Sequence, residues 1–391
     1  MAKISILIMI MRLFFIALFT LLSLNSFALQ VGAERYEQYL PLLKQQRVAL
    51  VVNQSAYTKD GHLLDSLLAK GVAVSKVFAP EHGFRGNHDA GEHVASNTDI
   101  KTGIPILSLY GKNKRPKAEQ LHDVDVIIFD IQDVGVRFYT YISTMHYMME
   151  AAAEYNKIFI VLDRPNPNIT YVDGPILEPK FKSFVGLHPI PVLHGLTVGE
   201  LAKMIVGEGW LEESKPLDLK VIPIEGYTAS MTYDLPIKPS PNLPNARAIA
   251  LYPSLCFFEA TPVSVGRGTE FPFQVYGYAP VKLGEFSFTP EPIIGAALNP
   301  KLNGQSVFGV DLRNHKSNGL DLSWLITAHQ QLSKQRIELF THASFMDKLA
   351  GTDKLRLAIE GGDSQRVIKQ RWQRPLQHYL QRRQPYLLYK R

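Results

Sequence analysis

From about residue 47 to residue 224, short apolar runs alternate with stretches whose apolar residues recur at helical spacing. The runs are nearly continuous in apolar residues, as strands buried on both faces are. Such strands, separated by helices, predict an α/β fold with a mostly parallel sheet covered on both sides. The pattern predicts strands at 48–52, 74–79, 104–109, 124–129, 158–162 and 217–224, and helices at 63–70, 141–155 and 198–205.

Polar residues stand where these predicted strands end. Asn53, Glu81, Asp130 and Asp163 each follow an apolar run within two residues. Because the carboxyl ends of parallel strands share one edge of an open sheet, we expect these side chains to converge there. Glu81 also stands beside His82, so that a carboxylate and an imidazole precede a glycine turn.

The sequence predicts two domains after an export signal. Beyond about residue 225 it changes to proline-rich loops and short aromatic runs, followed by amphipathic patterns near 321–335 and 343–350. We expect a sheet-containing catalytic domain at 29–230 and a smaller α+β domain at 231–391 that completes a cleft. The boundary follows the change in composition.

The first 28 residues have the features of an export signal. Lys3 and Arg12 supply positive charge, residues 4–24 are almost wholly apolar, and Ser26 and Ala28 are small residues where a signal peptidase reads. We expect cleavage after Ala28 and a periplasmic or secreted protein with no stable membrane partner. An uncleaved anchor is the alternative, because the apolar run approaches the ~20 residues that span a bilayer.

Charge and cysteine content exclude several other classes of protein. The formal charge of +6 arises from the signal segment (+2) and from residues 365–391 (eight basic residues, no acid), which leaves −4 for residues 29–364. No basic patch with aromatics occurs in the body, so nucleic acid is not an expected partner. The basic end could contact anionic envelope polymers or form the solvated face of a terminal helix. The single cysteine, Cys256, excludes an internal disulfide framework and is expected to be a buried, inert thiol.

Nucleotide and serine-hydrolase chemistry are disfavoured by missing motifs. No G-x-G-x-x-G follows the first predicted strand, and the chain has neither G-x-x-x-x-G-K-[ST] nor the G-x-S-x-G elbow. We therefore expect no cofactor. Carboxylates remain as the groups able to carry chemistry.

Two carboxylates are typical of glycosidases, in which one donates a proton to the leaving oxygen and the other stabilises or attacks the anomeric carbon. Glu81 suits the acid role, because a strand end beside Phe78 and Phe84 would favour its protonated form. Candidates for the second carboxylate are Asp130, Asp133, Asp163 and Glu259. The alternative for each acid is a structural role, either capping a helix or pairing with Arg137 or Arg164.

A metal site is the sharpest alternative to carboxylate chemistry. Imidazoles and carboxylates suited to zinc crowd into a short segment: His82, His88, Asp89, Glu92 and His93. They lack the H-E-x-x-H spacing of a helical zinc site. Aromatic residues also flank the polar motifs, and they could stack on sugar rings or belong to the core: Phe138, Tyr139, Tyr141, Phe271, Phe273, Tyr276 and Tyr278.

Ordered blocks over nearly the whole mature chain resemble the family of exo-β-N-acetylmuramidases represented by NamZ, formerly described as a domain of unknown function. The blocks lie at 53–54, 78–86, 108–111, 130–141, 162–167, 174–175, 194–202, 239–242, 258–261, 266–269 and 386–389. The resemblance implies a Rossmann-like amino-terminal domain, a smaller carboxy-terminal domain and a cleft between them. It also implies a glycosidase that releases terminal N-acetylmuramic acid from the non-reducing ends of peptidoglycan fragments in cell-wall turnover.

The resemblance also implies roles for individual residues. The family's Pro-Glu-His-Gly block falls on 80–83, which makes Glu81 the leading catalytic candidate, with His82, Asp130 and Glu259 as further candidates. No metal is expected. Candidates for contact with the peptidoglycan-derived saccharide are Asn53, Arg85, Gln132, Asp133, Arg137, Tyr139, Asp163, Arg164, Asn166 and Arg267.

Muramic acid differs from glucosamine by an anionic lactyl ether, which a guanidinium can bind with two parallel hydrogen bonds. We expect one of four arginines to do so: Arg85, Arg137, Arg164 or Arg267. Asn168 and Ala260 stand where the family usually has glycine, and either could reshape the cleft. A metal-dependent hydrolase of envelope esters or amides and a non-catalytic saccharide-binding protein are the two other classes left open.

Overall fold

The computed structural model describes residues 29–81, 83–84, 97–109, 111, 113–212 and 215–391. Its strands are β1 (Val48–Val52), β2 (Tyr57–Thr58), β3 (Gly61–His62), β4 (Val74–Ala79), β5 (Asn97–Thr98), β6 (Pro105–Ser108), β7 (Val126–Asp130), β8 (Ile158–Leu162), β9 (Asp218–Ile222), β10 (Val275–Tyr278), β11 (Phe286–Phe288) and β12 (Val307–Asp311). A seven-stranded sheet has the order β5-β6-β4-β1-β7-β8-β9. Only β5 runs antiparallel to its neighbour in this sheet, which confirms the prediction of a mostly parallel sheet.

The helices are α1 (Tyr36–Tyr39), α2 (Leu63–Ala69), α3 (Ala118–Leu121), α4 (Tyr141–Glu154), α5 (Val198–Gly207), α6 (Ala246–Leu255), α7 (Ser323–Lys334), α8 (Ala343–Ala350), α9 (Lys354–Glu360), α10 (Gln365–Gln370) and α11 (Gln373–Arg383). Turns of 3₁₀ helix lie at Gly32–Glu34, Leu40–Leu43, Pro179–Phe181, Cys256–Ala260 and Gln384–Tyr386. α5 begins with the capping box that its sequence indicates, because the Thr197 side chain accepts from the amide of Glu200 and the Glu200 carboxylate accepts from the amide of Thr197. α6 is absent from the sequence-based prediction. Its internal Pro253 and the surrounding prolines are untypical of a helix, so the sequence pattern does not indicate one here. Asn245 nevertheless caps the helix by accepting from the amide of Ala248.

Helices cover the large sheet on both faces, as the apolar strands predict. Along β1, Val48, Leu50 and Val52 pack in a core with α1 and α2, whereas Ala49 and Val51 point into a larger core with α4 and α5. The alternation follows from the two-residue period of a strand. Each residue of β1 is fully buried, which accounts for the lack of polar positions in the run.

The larger core continues into the carboxy-terminal part of the chain. Phe138, in the loop between β7 and α4, makes edge-to-face contacts with Tyr252 on α6 and with Phe257 in the following 3₁₀ turn, at ring-centroid distances of 5.5 and 5.6 Å. The carboxy-terminal part adds a small antiparallel sheet, β10-β12-β11, and helices α7 to α11. The shared core therefore fixes the carboxy-terminal part against the loops at the carboxyl edge of the large sheet.

The basic end of the chain packs back onto the amino-terminal part. Its ion pairs with acids elsewhere in the chain are Lys369–Asp173, Arg371–Asp363, Arg382–Glu208 and Arg391–Glu200. The Tyr389 hydroxyl donates to Asp163 at 2.5 Å. Much of the basic charge thus serves intramolecular contacts. Across the described ranges, no helix combines the length and apolar character needed to cross a bilayer.

Candidate active site

Glu81 lies just beyond the carboxyl end of β4, between that strand and the start of α4. The Thr140 hydroxyl donates to the Glu81 carboxylate at 3.2 Å, and the Tyr141 hydroxyl donates to its backbone carbonyl at 3.4 Å. Gly83, in a left-handed conformation (φ 74°), closes the turn by donating its amide to the carbonyl of Pro80. The end of β4, this turn and the first residues of α4 thereby fix where Glu81 stands.

A cavity of about 80 Å³ opens beside Glu81. It is lined by Glu81, Phe138, Tyr139, Thr140, Tyr141, Ser240, Asn242, Leu243, Tyr252, Arg267 and Phe273. Among the described lining residues, Glu81 is the only carboxylic acid and Arg267 the only cation. The cavity thus combines one acidic side chain, one guanidinium and several aromatic rings from both parts of the chain.

Arg267 is held in place by Glu259 and Phe273. Its Nε donates to Glu259 at 3.1 Å, and its guanidinium lies 5.1 Å from the centroid of the Phe273 ring. Its two terminal nitrogens make no hydrogen bond to any described residue, and the side chain is 26% exposed. A guanidinium anchored through Nε in this way leaves its outer edge available for a carboxylate.

Glu259 is suited to pairing with Arg267 rather than to giving up a proton. Burial alone would raise the pKa of Glu259, but the charges of Arg267 and Lys301 hold it below its usual value. Lys301 also fixes the 3₁₀ turn that carries Glu259, by donating to the carbonyls of Phe258, Glu259 and Thr261. Glu259 is therefore ionised. It does not line the cavity itself but holds Arg267, which does.

Tyrosines form the aromatic wall of the cavity. The Tyr139 ring makes edge-to-face contacts with Tyr141 and Tyr252 at 4.9 and 5.9 Å, and its hydroxyl donates to the carbonyl of Pro239 at 2.9 Å. Burial raises the pKa of Tyr139 well above its usual value, so the phenol stays neutral. Cys256 behind this wall is buried as expected, and burial raises the pKa of its thiol to about 12.

Asp130 and Arg164 form an ion pair beneath the edge of the sheet and do not line the cavity. Arg164 donates Nε and Nη2 to the two oxygens of Asp130 at 2.5 and 2.8 Å, and both side chains are almost fully buried. A third bond runs from Arg164 to the carbonyl of Tyr57 at 3.1 Å. This pair corresponds to the structural alternative given for Asp130.

Arg137 lies in the core, where it joins the two parts of the chain. The side chain is fully buried and donates to the carbonyls of Pro175, Ile190 and Leu349 at 2.8, 2.7 and 3.0 Å. Burial lowers the pKa of Arg137 to about 9. Its guanidinium is thus used by the backbone of both parts and does not line the cavity beside Glu81.

Asp163 serves the junction between α5 and the end of the chain. Its carboxylate accepts from the Thr197 and Tyr389 hydroxyls at 2.7 and 2.5 Å and from the amide of Gly199 at 2.8 Å. Burial raises the pKa of Asp163 to about 7, against the opposing effect of these donors. The shared sheet edge therefore does not bring every strand-end side chain into one cavity: Asp163 faces α5 and the carboxy terminus.

The remaining described candidates hold the loops at the sheet edge together. Asn53 accepts from the amide and hydroxyl of Ser55, and Gln132 donates to the carbonyls of Asp133 and Pro165. Their neighbours have similar partners: Asp133 accepts from the amide of Gly135, and Asn166 donates to the carbonyl of Leu196 and accepts from the amide of Asn168. All four are almost fully buried.

Two predicted site residues, His82 and Arg85, lie outside the described residues, as do His88, Asp89, Glu92 and His93 of the metal alternative. In the part of the chain that is described, no group of three or more His, Cys, Asp or Glu side chains could hold a metal ion.

The structure also adds lining residues that the sequence did not single out as candidates. Ser240 and Asn242 reach the cavity from the Pro-Ser-Pro-Asn segment, and Tyr252 reaches it from α6. The sequence feature that could have pointed to Ser240 and Asn242 is the alternation of two prolines with small polar residues, which indicates a rigid, non-helical loop. Tyr252 was not a candidate because the sequence did not predict α6, the helix that carries it.

Comparison with known proteins identifies the fold and the family. A family model described as the amino-terminal domain of exo-β-N-acetylmuramidase NamZ matches residues 48–247, and the model of its carboxy-terminal domain matches residues 250–389. The chain is 38% identical to the peptidoglycan β-N-acetylmuramidase NamZ of Bacillus subtilis (strain 168), over 90% of this chain and 89% of that protein.

Two crystal structures of DUF1343 family proteins from Bacteroides fragilis NCTC 9343 have the same fold. One has a TM-score of 0.85 and 46% sequence identity, the other a TM-score of 0.80 and 30% identity, and each comparison covers 93% of this chain and 99% of the other. The two family models together span both structural parts and the residues that line the cavity. The chain belongs to the NamZ family of exo-β-N-acetylmuramidases.

Proposed function

We propose that this protein is an exo-acting glycosidase that releases N-acetylmuramic acid from the non-reducing ends of peptidoglycan fragments. The observation that carries the proposal is a single cavity lined by both Glu81 and Arg267 in a member of the NamZ family. One side chain can supply a proton and the other can bind a carboxylate. A terminal muramic acid residue requires both.

Glu81 acts as the general acid. It gives its proton to the bridging oxygen as the bond from that oxygen to the anomeric carbon breaks. A water molecule supplies the hydroxyl of the released sugar, and the proton that this water loses restores the protonated form of the acid. The hydroxyl of Thr140 holds the carboxyl group in place. Of the other acids proposed for catalysis, Asp130 pairs with Arg164 and Glu259 with Arg267, and neither lines the cavity.

Arg267 binds the lactyl carboxylate of the substrate. Its two terminal nitrogens can donate in parallel to the two oxygens of a carboxylate, which is the geometry that favours arginine over lysine. Glu259 and Phe273 hold the guanidinium from behind, so little side-chain freedom is lost on binding. This contact distinguishes muramic acid from N-acetylglucosamine, which has no lactyl group.

The protein acts outside the cytoplasm, in the periplasm or after secretion. The support is the amino-terminal sequence, in which Lys3 and Arg12 accompany a long apolar run that ends near Ala28. Peptidoglycan-derived saccharides are the partner, in turnover of the cell wall. Mass spectrometry of the mature protein from an expressing cell would test cleavage after Ala28, and an intact amino terminus would contradict it.

Turnover of a chromogenic β-N-acetylmuramide, measured with and without chelator, tests the activity. We expect hydrolysis that the chelator does not change, and slow or no hydrolysis of the matching β-N-acetylglucosaminide. Activity lost with chelator and restored by zinc would instead identify a metal-dependent hydrolase. Binding of muramyl saccharides without turnover of any would identify a saccharide-binding protein.

A further inference from the structure

Lys301 supports the turn behind the cavity from a distant part of the sequence. Its Nζ donates to the carbonyls of Phe258, Glu259 and Thr261 at 2.9, 3.0 and 2.6 Å, at the carboxyl end of the 3₁₀ turn Cys256–Ala260, where helical carbonyls lack partners. Burial lowers the pKa of Lys301, and the charge of Glu259 opposes that effect. Only a protonated lysine has three N–H donors, and all three are used here. Lys301 is therefore a cation in this structure.

The segment that carries Lys301 also packs against the chain next to Arg267. Gly268 follows Arg267 in a left-handed conformation (φ 81°), and a Cβ added to it would lie 2.8 Å from two ring carbons of Pro300. That distance is too short for two carbon atoms, so the ring of Pro300 occupies the place of a side chain. Residues 300–301 thus contact both segments of the Glu259–Arg267 pair.

The charges behind the cavity do not cancel. Two cations, Arg267 and Lys301, act on the single carboxylate of Glu259. Tyr252 and Cys256 are also close, but burial raises the pKa of both, so they are neutral. One negative charge against two positive charges leaves this group of described residues with one net positive charge.

The excess charge matters because Glu259 and Arg267 alone would form a neutral pair. A substrate carboxylate at the outer edge of Arg267 would then be attracted by Arg267 and repelled by Glu259. With Lys301 present the repulsion is offset, and one bound carboxylate makes the whole group neutral. Charges in a partly buried site act on each other more strongly than in water, so the balance affects binding. Lys301 does not line the cavity and must act from behind Glu259 and Arg267.

We propose that Lys301 determines the preference for muramic acid, by fixing the turn that carries Glu259 and by giving the Glu259–Arg267 pair its net positive charge. The proposal rests on the proposed function, because it requires Arg267 to bind the lactyl carboxylate. Lys301 is thus a positioning residue that acts through Arg267. A glucosaminide has no lactyl carboxylate and gains nothing from this charge. Lys301 therefore affects substrate binding and not the cleavage of the glycosidic bond.

Lys301→Met tests the proposal, because it removes the charge and keeps most of the side-chain volume. We expect KM for a chromogenic β-N-acetylmuramide to rise about tenfold with little change in kcat, since the lost charge weakens binding of substrate and transition state alike. Any turnover of the matching glucosaminide should stay the same. Lys301→Arg keeps the charge and the donors and should restore a KM near that of wild type.

Lys369→Met is the matched control. Lys369 is also a partly buried lysine, and it donates to Asp173 at 2.6 Å, but it does not line the cavity. It should leave both kinetic constants unchanged. If Lys301→Met lowers kcat for both substrates together and lowers Tm, its role is structural only and the proposal is overturned.

A double variant tests the charge balance itself. Adding Glu259→Gln to Lys301→Met removes one negative charge, which returns the group to one net positive charge, and glutamine still offers an acceptor to Arg267. KM for the muramide should fall about tenfold from that of Lys301→Met, and a double variant with no such recovery would refute the electrostatic role. If Lys301→Met does not fold, Glu259→Gln alone decides, because it adds net positive charge and should lower this KM; a raised KM would overturn the proposal.

The same measurements separate this proposal from the proposed function. Wild-type turnover of the muramide with a KM that Lys301→Met leaves unchanged would refute the role of Lys301 but not the activity. Absence of wild-type turnover would refute the activity itself.

Discussion

Replacing Arg267 by lysine tests whether this residue binds the lactyl carboxylate of the substrate. Arginine can bind Glu259 through Nε and still present two terminal nitrogens to the substrate. Lysine has a single nitrogen at the end of its chain, so it can remain with Glu259 or turn to the substrate, but it cannot offer two parallel hydrogen bonds. It keeps the positive charge, and the difference measured is therefore one of geometry rather than of charge.

The expected magnitude follows from the number of hydrogen bonds lost. A hydrogen bond to a charged group contributes about 1.5–3 kcal/mol, and lysine loses at least one of the two to the carboxylate. We expect kcat/KM for a β-N-acetylmuramide to fall about 10- to 150-fold, because every 1.4 kcal/mol corresponds to a factor of ten. Any weak turnover of the matching glucosaminide should remain, because that substrate has no lactyl carboxylate.

The assay compares kcat/KM on the two chromogenic substrates for wild type and variant. Arg313→Lys is a suitable control, since Arg313 also pairs with an acid, Asp311, and lies over an aromatic ring, Phe271, but does not line the cavity beside Glu81. It should leave both rates unchanged. If Arg267→Lys lowers both substrates equally, or neither, the carboxylate is bound by another group and the reasoning from the free guanidinium edge is refuted.

Three further results are expected. Glu81→Gln should lower turnover of natural fragments by about 10²–10⁴-fold with little change in Tm, and less for an aryl glycoside with a good leaving group; normal turnover would exclude Glu81 as the acid. Asp130→Ala should cost about 3–5 kcal/mol in urea unfolding, because it leaves Arg164 buried and unpaired, and a loss below about 1 kcal/mol would contradict the buried ion pair. Burial raises the pKa of Asp163 to about 7, so its contribution to stability is full below about pH 4 and is lost as the pH rises through about 7. Urea titrations of wild type and Asp163→Asn give the difference between their free energies of unfolding, wild type minus variant. This difference should decrease between pH 5 and pH 8, and a constant difference would contradict the raised pKa.

Local sequence patterns predict most elements of the large sheet. β1, β4 and β8 have the predicted bounds, and β6, β7 and β9 differ from the prediction by one or two residues at their ends. The prediction succeeds because a strand buried on both faces needs a continuous apolar run, and that run is visible in neighbouring residues. α6 is missed because Pro253 and the prolines around the helix dominate the local signal, while its stability comes from burial of Tyr252 and its neighbours against the larger core.

The position of Glu81 after β4 is also evident from the sequence, since a parallel strand delivers its carboxyl end to the edge of the sheet. The sequence could not show which of the other polar residues share that position. Asp130 pairs with Arg164, 34 positions away in the sequence, and Arg137 donates to the carbonyl of Leu349, 212 positions away. These partners hold both arginines away from the cavity, whereas Arg267, which belongs to the carboxy-terminal part, lines it.

The sequence by itself determined the alternation of buried strands and helices, the parallel sheet and the placing of polar residues at its edge, because each depends on spacing within a few neighbouring residues. Only the tertiary structure decided which charges are neutralised and which face the cavity. A buried charge must be compensated by whatever group folding brings within hydrogen-bond distance. Glu81 and Arg267 line one cavity because Phe138 packs against Tyr252 and Phe257, which joins segments far apart in the chain.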